Sequence, residues 1–62
     1  MKLYYVIRNL RDNSYVYYNE ELGNDISSAM EFESEQNAVE FVSRNFDYYF
    51  TFTIEKLYQI TK

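Results

Sequence analysis

Aromatic and β-branched residues fall at every second position at both ends of this chain, and that two-residue period constrains the fold more than any other feature. From Lys2 to Arg8, Leu3, Tyr5 and Ile7 point one way and Tyr4 and Val6 the other. Both faces carry large side chains, as expected of a strand covered on two sides. From Tyr48 the period returns: Tyr48, Phe50, Phe52, Ile54, Tyr58 and Ile60 share a face broken only by Lys56, with Tyr49, Thr51, Thr53, Glu55, Leu57 and Gln59 opposite. This predicts a long final strand. A short helix from Thr53 is the competing reading, because Ile54, Leu57 and Tyr58 also suit a three-four spacing.

Between these ends the punctuation changes. Asn9 to Ser14 gathers residues that bond their own backbone or tolerate left-handed angles, which predicts a hairpin turn at Asp12-Asn13 and a return strand over Tyr15-Val16-Tyr17-Tyr18. The stretch from Asn19 to Ser28 is weakly patterned and holds the chain's one glycine, Gly23, so it reads as the main loop. Met30 and Phe32 alternate with Ala29, Glu31 and Glu33, predicting a third strand near a sheet edge, one face apolar and the other acidic. Ser34 is a good helix N-cap, with Glu35 in the first turn. Ala38, Phe41, Val42 and Phe46 follow at helical spacing, Arg44 occupies the last turn, and Asn45 suits a left-handed C-terminal position. The sum is one α+β domain over residues 1–62, in the order β-β-β-α-β: an antiparallel sheet of three to four strands with one helix on one face.

At 62 residues the core must be thin. Domains this small often add disulfides or a structural zinc, but the chain has no cysteine and no histidine. That absence points to a reducing compartment, the cytoplasm. No apolar run approaches a membrane span and no signal peptide is evident at the start, so neither a membrane nor an anchor is expected. One helix cannot shield both sides of a sheet with this many rings, which predicts a face left to a partner and a homo-oligomer, a dimer in the simplest case.

Catalysis is not expected. Proton transfer near neutral pH leans on histidine and nucleophilic attack on an activated cysteine, serine or threonine. Glu31 and Glu33 share a strand face, but a solvated edge accounts for them better than a cleft that would shift their pKa values. The acidic stretch lacks the spacing and turn glycine of a calcium loop, and one glycine cannot build a phosphate-binding loop, so no metal and no cofactor are expected.

The net charge of −4 is unevenly placed. Glu20, Glu21, Asp25, Glu31, Glu33, Glu35 and Glu40 follow one another without an intervening Lys or Arg, while Lys2, Arg8, Arg11, Arg44, Lys56 and Lys62 lie towards the two ends. This suits a solvated helix-and-loop face, or an acidic patch aimed at a basic partner. Tyr4, Tyr15, Tyr17 and Tyr49 could stack bases, but scattered basic residues argue against nucleic acid. Tyrosine is favoured at protein interfaces. The candidate contact residues are therefore Tyr15, Tyr17, Tyr18 and Tyr49, with Glu20, Glu21, Glu31 and Glu33 offering charge complementarity, while Tyr5 and Tyr58 are expected to fill the core.

The run Tyr4-Tyr5-Val6-Ile7-Arg8, the helix opening Ser34, Ala38 and Phe41, and the closing Ile54-Glu55-Lys56-Leu57-Tyr58 resemble the small early proteins of bacteriophages that infect Gram-positive bacteria. That class includes counter-defence proteins such as anti-CRISPR, anti-Thoeris and anti-Hachiman inhibitors. The resemblance implies a non-enzymatic inhibitor in the bacterial cytoplasm that occupies a host defence or replication protein, with a basic, nucleic-acid-binding surface as one possible target. No functional residue carries over. The alternatives are a homo-oligomeric structural or accessory protein, and a ligand-sequestering protein with a pocket at a dimer interface.

Overall fold

The computed structural model describes residues 2–19, 21–46 and 51–59. Strand β1 (Lys2–Asn9) and strand β2 (Ser14–Val16) form the expected hairpin, with Arg8 opposite Tyr15 and Asn9 opposite Ser14. The return strand ends at Val16, however, leaving Tyr17 in an isolated bridge to Ala29 and Tyr18 in a turn. Side chains make the hairpin turn. Asn9 Oδ1 accepts from the Arg11 amide at 2.9 Å, and Asp12 Oδ1 accepts from the amide and hydroxyl of Ser14 at 3.0 and 2.6 Å. Asn13 takes the left-handed position with φ of 62°, the only non-glycine residue to do so among those described.

The weakly patterned stretch is not a plain loop. Leu22–Gly23 forms a two-residue strand β3 against β2, and Ile26–Ser28 forms one 3-10 turn capped by Asp25. The third strand of the order therefore lies at 22–23. The segment around Met30 and Phe32, expected as a strand, makes two isolated bridges, Tyr17 to Ala29 and Tyr5 to Phe32. The reason is geometric: this segment crosses from the side of β2 to the side of β1. The Met30 amide donates to Val16 O at 2.9 Å, and two residues on Tyr5 and Phe32 exchange amide bonds of 2.9 and 2.8 Å. Neither neighbour holds it long enough for a ladder.

Helix α1 (Glu35–Asn45) begins as read, with the Ser34 hydroxyl accepting from the Asn37 amide at 3.1 Å. Its end differs. Asn45 stays helical and donates its side-chain amide to Phe41 O at 2.8 Å, and the chain leaves through an extended Phe46. That exit sets the Phe46 ring 4.6 Å from Phe52, a contact a left-handed turn at Asn45 would redirect.

Strand β4 (Phe52–Gln59) pairs antiparallel with β1 from Lys2–Gln59 to Asn9–Phe52, which excludes the helical reading of residues 53–59. Tyr48, Tyr49, Phe50 and Ile60 lie outside the described residues. The sheet order is β3-β2-β1-β4. Helix α1 covers the face of Ile7 and Ile54, where Ile7, Val16, Ala38 and Val42 form the buried core, flanked by Met30, Phe32, Phe41, Phe46, Phe52 and Ile54. An eleven-residue helix is about 16 Å long and an eight-residue strand about 26 Å. The cross-strand pair Leu3 and Tyr58 lies on the same face, and both remain exposed, Tyr58 to 55%. The core position expected for Tyr58 is thus corrected, and Tyr5 is half-buried.

Candidate binding face

The face of the sheet away from α1 carries Lys2, Tyr4, Val6 and Arg8 from β1, Thr53, Glu55, Leu57 and Gln59 from β4, and Tyr15 with Gly23 from the other strands. The four described phenylalanines associate with the helix side, whereas the tyrosines of β1 and β2 lie largely on this one. A phenol must keep its hydroxyl near water or a partner, and this face has no covering layer among the described residues.

Even so, it is not a bare aromatic platform. Val6 has no solvent exposure and Ala29 has 3%. Helix α1 lies on the other side of the sheet, and on this side Tyr4, Tyr15 and Tyr17 are themselves half-buried. Tyr17 shows how. Its ring lies against Gly23, where a Cβ would overlap the ring and hydroxyl, and its oxygen accepts from the Asp25 amide at 2.9 Å. Gly23 is present for space, since its φ is not positive.

A polar pair crosses the middle of the face. Arg8 Nε lies 3.1 Å from Glu55 Oε1, both side chains 31% exposed. Those two atoms are themselves sealed from solvent and neither has a well-aligned hydrogen bond, so each depends on the charge of the other. At one end, Lys2 Nζ meets Glu31 Oε1 at 2.7 Å and stands 5.7 Å from the centre of the Tyr4 ring. The hydrogen bond and charge of Glu31 raise the Lys2 pKa. Tyr18 joins this group through its oxygen, which accepts from the Glu31 amide at 3.1 Å, while its ring is 66% exposed.

Of the residues selected from sequence, Tyr15, Tyr17, Tyr18 and Glu31 come together on or beside this face, and Glu33 lines the same shallow cleft as Lys2, Tyr4, Tyr18 and Glu31. Glu21 is exposed in the turn from β2 to β3, and its backbone oxygen accepts from Tyr17. Tyr49 and Glu20 lie outside the described residues. Glu31 is not a free acid but is paired within the chain. Asp25 is occupied too: it accepts from Ser27 and Ser28, and the Ser27 bonds hold its pKa below the usual carboxylate range.

Sequence reasoning missed Arg8, Glu55 and Leu57 as parts of the face. They meet only through the β1–β4 register, and no local pattern reports a register between strands 40 residues or more apart in the chain. Among the described residues no cluster of three or more Asp and Glu could hold a metal ion, and no helix is long and apolar enough to cross a membrane. No family model matches the chain, and no curated protein or solved structure matches it significantly.

Proposed function

We propose that this chain is a non-enzymatic binding domain that occupies a protein partner with the helix-free face of its sheet. The observation that carries the reading is the gathering of Tyr4, Tyr15, Tyr17 and Tyr18 with Leu57 and paired charges on or beside that side. Such a surface offers amphipathic contact area at low entropic cost, because Tyr17 is already held by Gly23 and Asp25 and the Tyr18 hydroxyl by Glu31. The resemblance to small phage early proteins makes a bacterial host defence or replication protein the first partner to seek, bound in the cytoplasm and blocked without turnover. The exposed acids Glu21 and Glu33 favour a basic target surface.

The test is affinity purification from a Gram-positive host lysate with the wild-type chain and a Tyr15→Ser/Tyr18→Ser variant whose circular dichroism matches wild type. Interface hot spots cost more than about 1 kcal/mol each on truncation, so recovery of the partner should drop at least about tenfold. Equal recovery with both chains removes the face from the contact. A Glu33→Lys variant addresses charge: inhibition of the recovered target that survives this reversal argues against the basic-surface part.

A further inference from the structure

The outer edge of β4 from Ile54 to Tyr58 faces no other strand among the described residues. In the order β3-β2-β1-β4 the sheet has two edges, and the one at β3 is two residues long while that at β4 is eight. Just past the ladder, the Leu10 amide donates to Thr51 O at 2.7 Å. Antiparallel alternation carries this exchange to Arg8–Thr53, Val6–Glu55, Tyr4–Leu57 and Lys2–Gln59. The amides and carbonyls of Ile54, Lys56 and Tyr58 therefore point away from β1. Natural proteins blunt such edges by shortness, charged side chains, proline or bulges; of these β4 carries only the charges of Glu55 and Lys56, and Glu55 is paired with Arg8. Shortness protects β3; β4 is long, its ladder with β1 is unbroken, and the chain has no proline.

We propose that β4 pairs antiparallel with β4 of a second copy about a two-fold axis at Leu57, joining two sheets into one. The occupant follows from self-complementarity. An axis between residues would oppose outward-pointing and inward-pointing groups, so it must pass through a residue. At Lys56 it would set ammonium against ammonium, and at Glu55 carboxylate against carboxylate, both unfavourable directly across a strand pair. At Tyr58 only residues 57–59 of the described strand would pair. At Ile54 the exposed Tyr58 would oppose position 50, outside that strand.

At Leu57 residues 55–59 pair, no like charges are opposed, and Tyr58 stays within the pairing. Leucine meets leucine on the helix-free face, Glu55 meets the partner's Gln59, and the Lys56 stem meets the partner's Tyr58. Tyr58, 55% exposed in one copy, then lies diagonal to Ile54 on the other. Ile54 is one wall of an apolar groove of about 370 Å³ between α1 and β4, lined also by Val39, Val42, Ser43 and Phe52. Each protomer thus offers an exposed ring and, one diagonal position away across the pairing, an apolar groove beside Ile54. Val39, 51% exposed on the helix flank beside this groove, is covered by the same contact. The dimer uses the strand edge, the helix side and the Leu57 margin of the helix-free face, and it is argued from the β4 edge alone, not from the binding role proposed for the tyrosines.

The chain has no cysteine, which makes single-cysteine variants clean reporters. At a symmetric non-hydrogen-bonded pair the Cα atoms lie about 4.5 Å apart, within disulfide reach. Leu57→Cys should cross-link to a covalent dimer under mild oxidation, while Glu55→Cys and Ile54→Cys should remain largely uncross-linked. By sedimentation the wild-type chain should be dimeric. Lys56→Pro removes an outward amide without touching the β1 ladder, so it should be monomeric with an unchanged circular dichroism spectrum. A wild-type chain that stays monomeric at the highest concentration reached, faster cross-linking at position 54 or 55 than at 57, or a Lys56→Pro chain still dimeric would each overturn the proposal.

Discussion

Tyr17, just past β2, and Gly23 of β3 are in direct contact: the phenol lies where a glycine Cβ would stand, and its oxygen accepts the hydrogen bond of the Asp25 amide. One small residue thereby lets a ring lie flat and cap the two-residue strand. Gly23→Ala should force the ring away and destabilise the domain by about 1–3 kcal/mol, the usual cost of overpacking. Chemical denaturation measures it, and Tyr17→Phe, which keeps the ring but frees the Asp25 amide, should cost less than Gly23→Ala.

Val6 has no exposed surface although α1 covers the other face, so its packing measures how well the tyrosine side shelters its own floor. Val6→Ala should lose about 1–3 kcal/mol. The reference is Leu10→Ser, at a turn residue 54% exposed, which should change stability by no more than about 0.5 kcal/mol. Equal effects from the two substitutions would mean that the face is open to water.

The Arg8–Glu55 contact should behave as a coupled pair. Removing one partner, as in Glu55→Leu or Arg8→Met, leaves a shielded charge and should cost about 1–2 kcal/mol, less than the 3–5 of a fully buried pair because both side chains are a third exposed. The combined Arg8→Met/Glu55→Leu chain should recover most of the loss. Strictly additive losses in the double-mutant cycle would show that the two charges are not coupled.

Acid should weaken the domain in a defined window. The hydrogen bonds of Ser14 lower the Asp12 pKa and those of Ser27 lower that of Asp25. A carboxyl with a folded pKa below its unfolded value contributes stability that is fully present above the unfolded value, near 3.8, and is lost as pH falls through the folded one. Melting temperature should therefore hold steady above about pH 5 and fall below about pH 4. Asp12→Asn/Asp25→Asn should flatten that fall, since an amide oxygen can still accept but does not titrate.

The helix start is a local device with a local cost. Ser34→Ala removes the acceptor for the Asn37 amide and should lower stability by about 1 kcal/mol, with Ser34→Asp close to wild type. Thermal melts of the two variants check it.

Sequence alone determined the elements whose signals are local. The two-residue period of Lys2–Arg8 and of positions 52–59, the turn at Asp12-Asn13 and the Ser34 cap each depend on neighbours a few residues away, and each is found as read. Tertiary structure decided what depends on distant partners. Phe32 makes an isolated bridge because β2 parts from β1 after Tyr15; Leu22–Gly23 is a strand because Tyr15 and Val16 lie beside it; Tyr58 is exposed because the helix is shorter than the strand it covers. Arg8 meets Glu55 by register alone. Periodicity says which way a side chain points relative to its own strand, and only the pairing of strands says what it finds there.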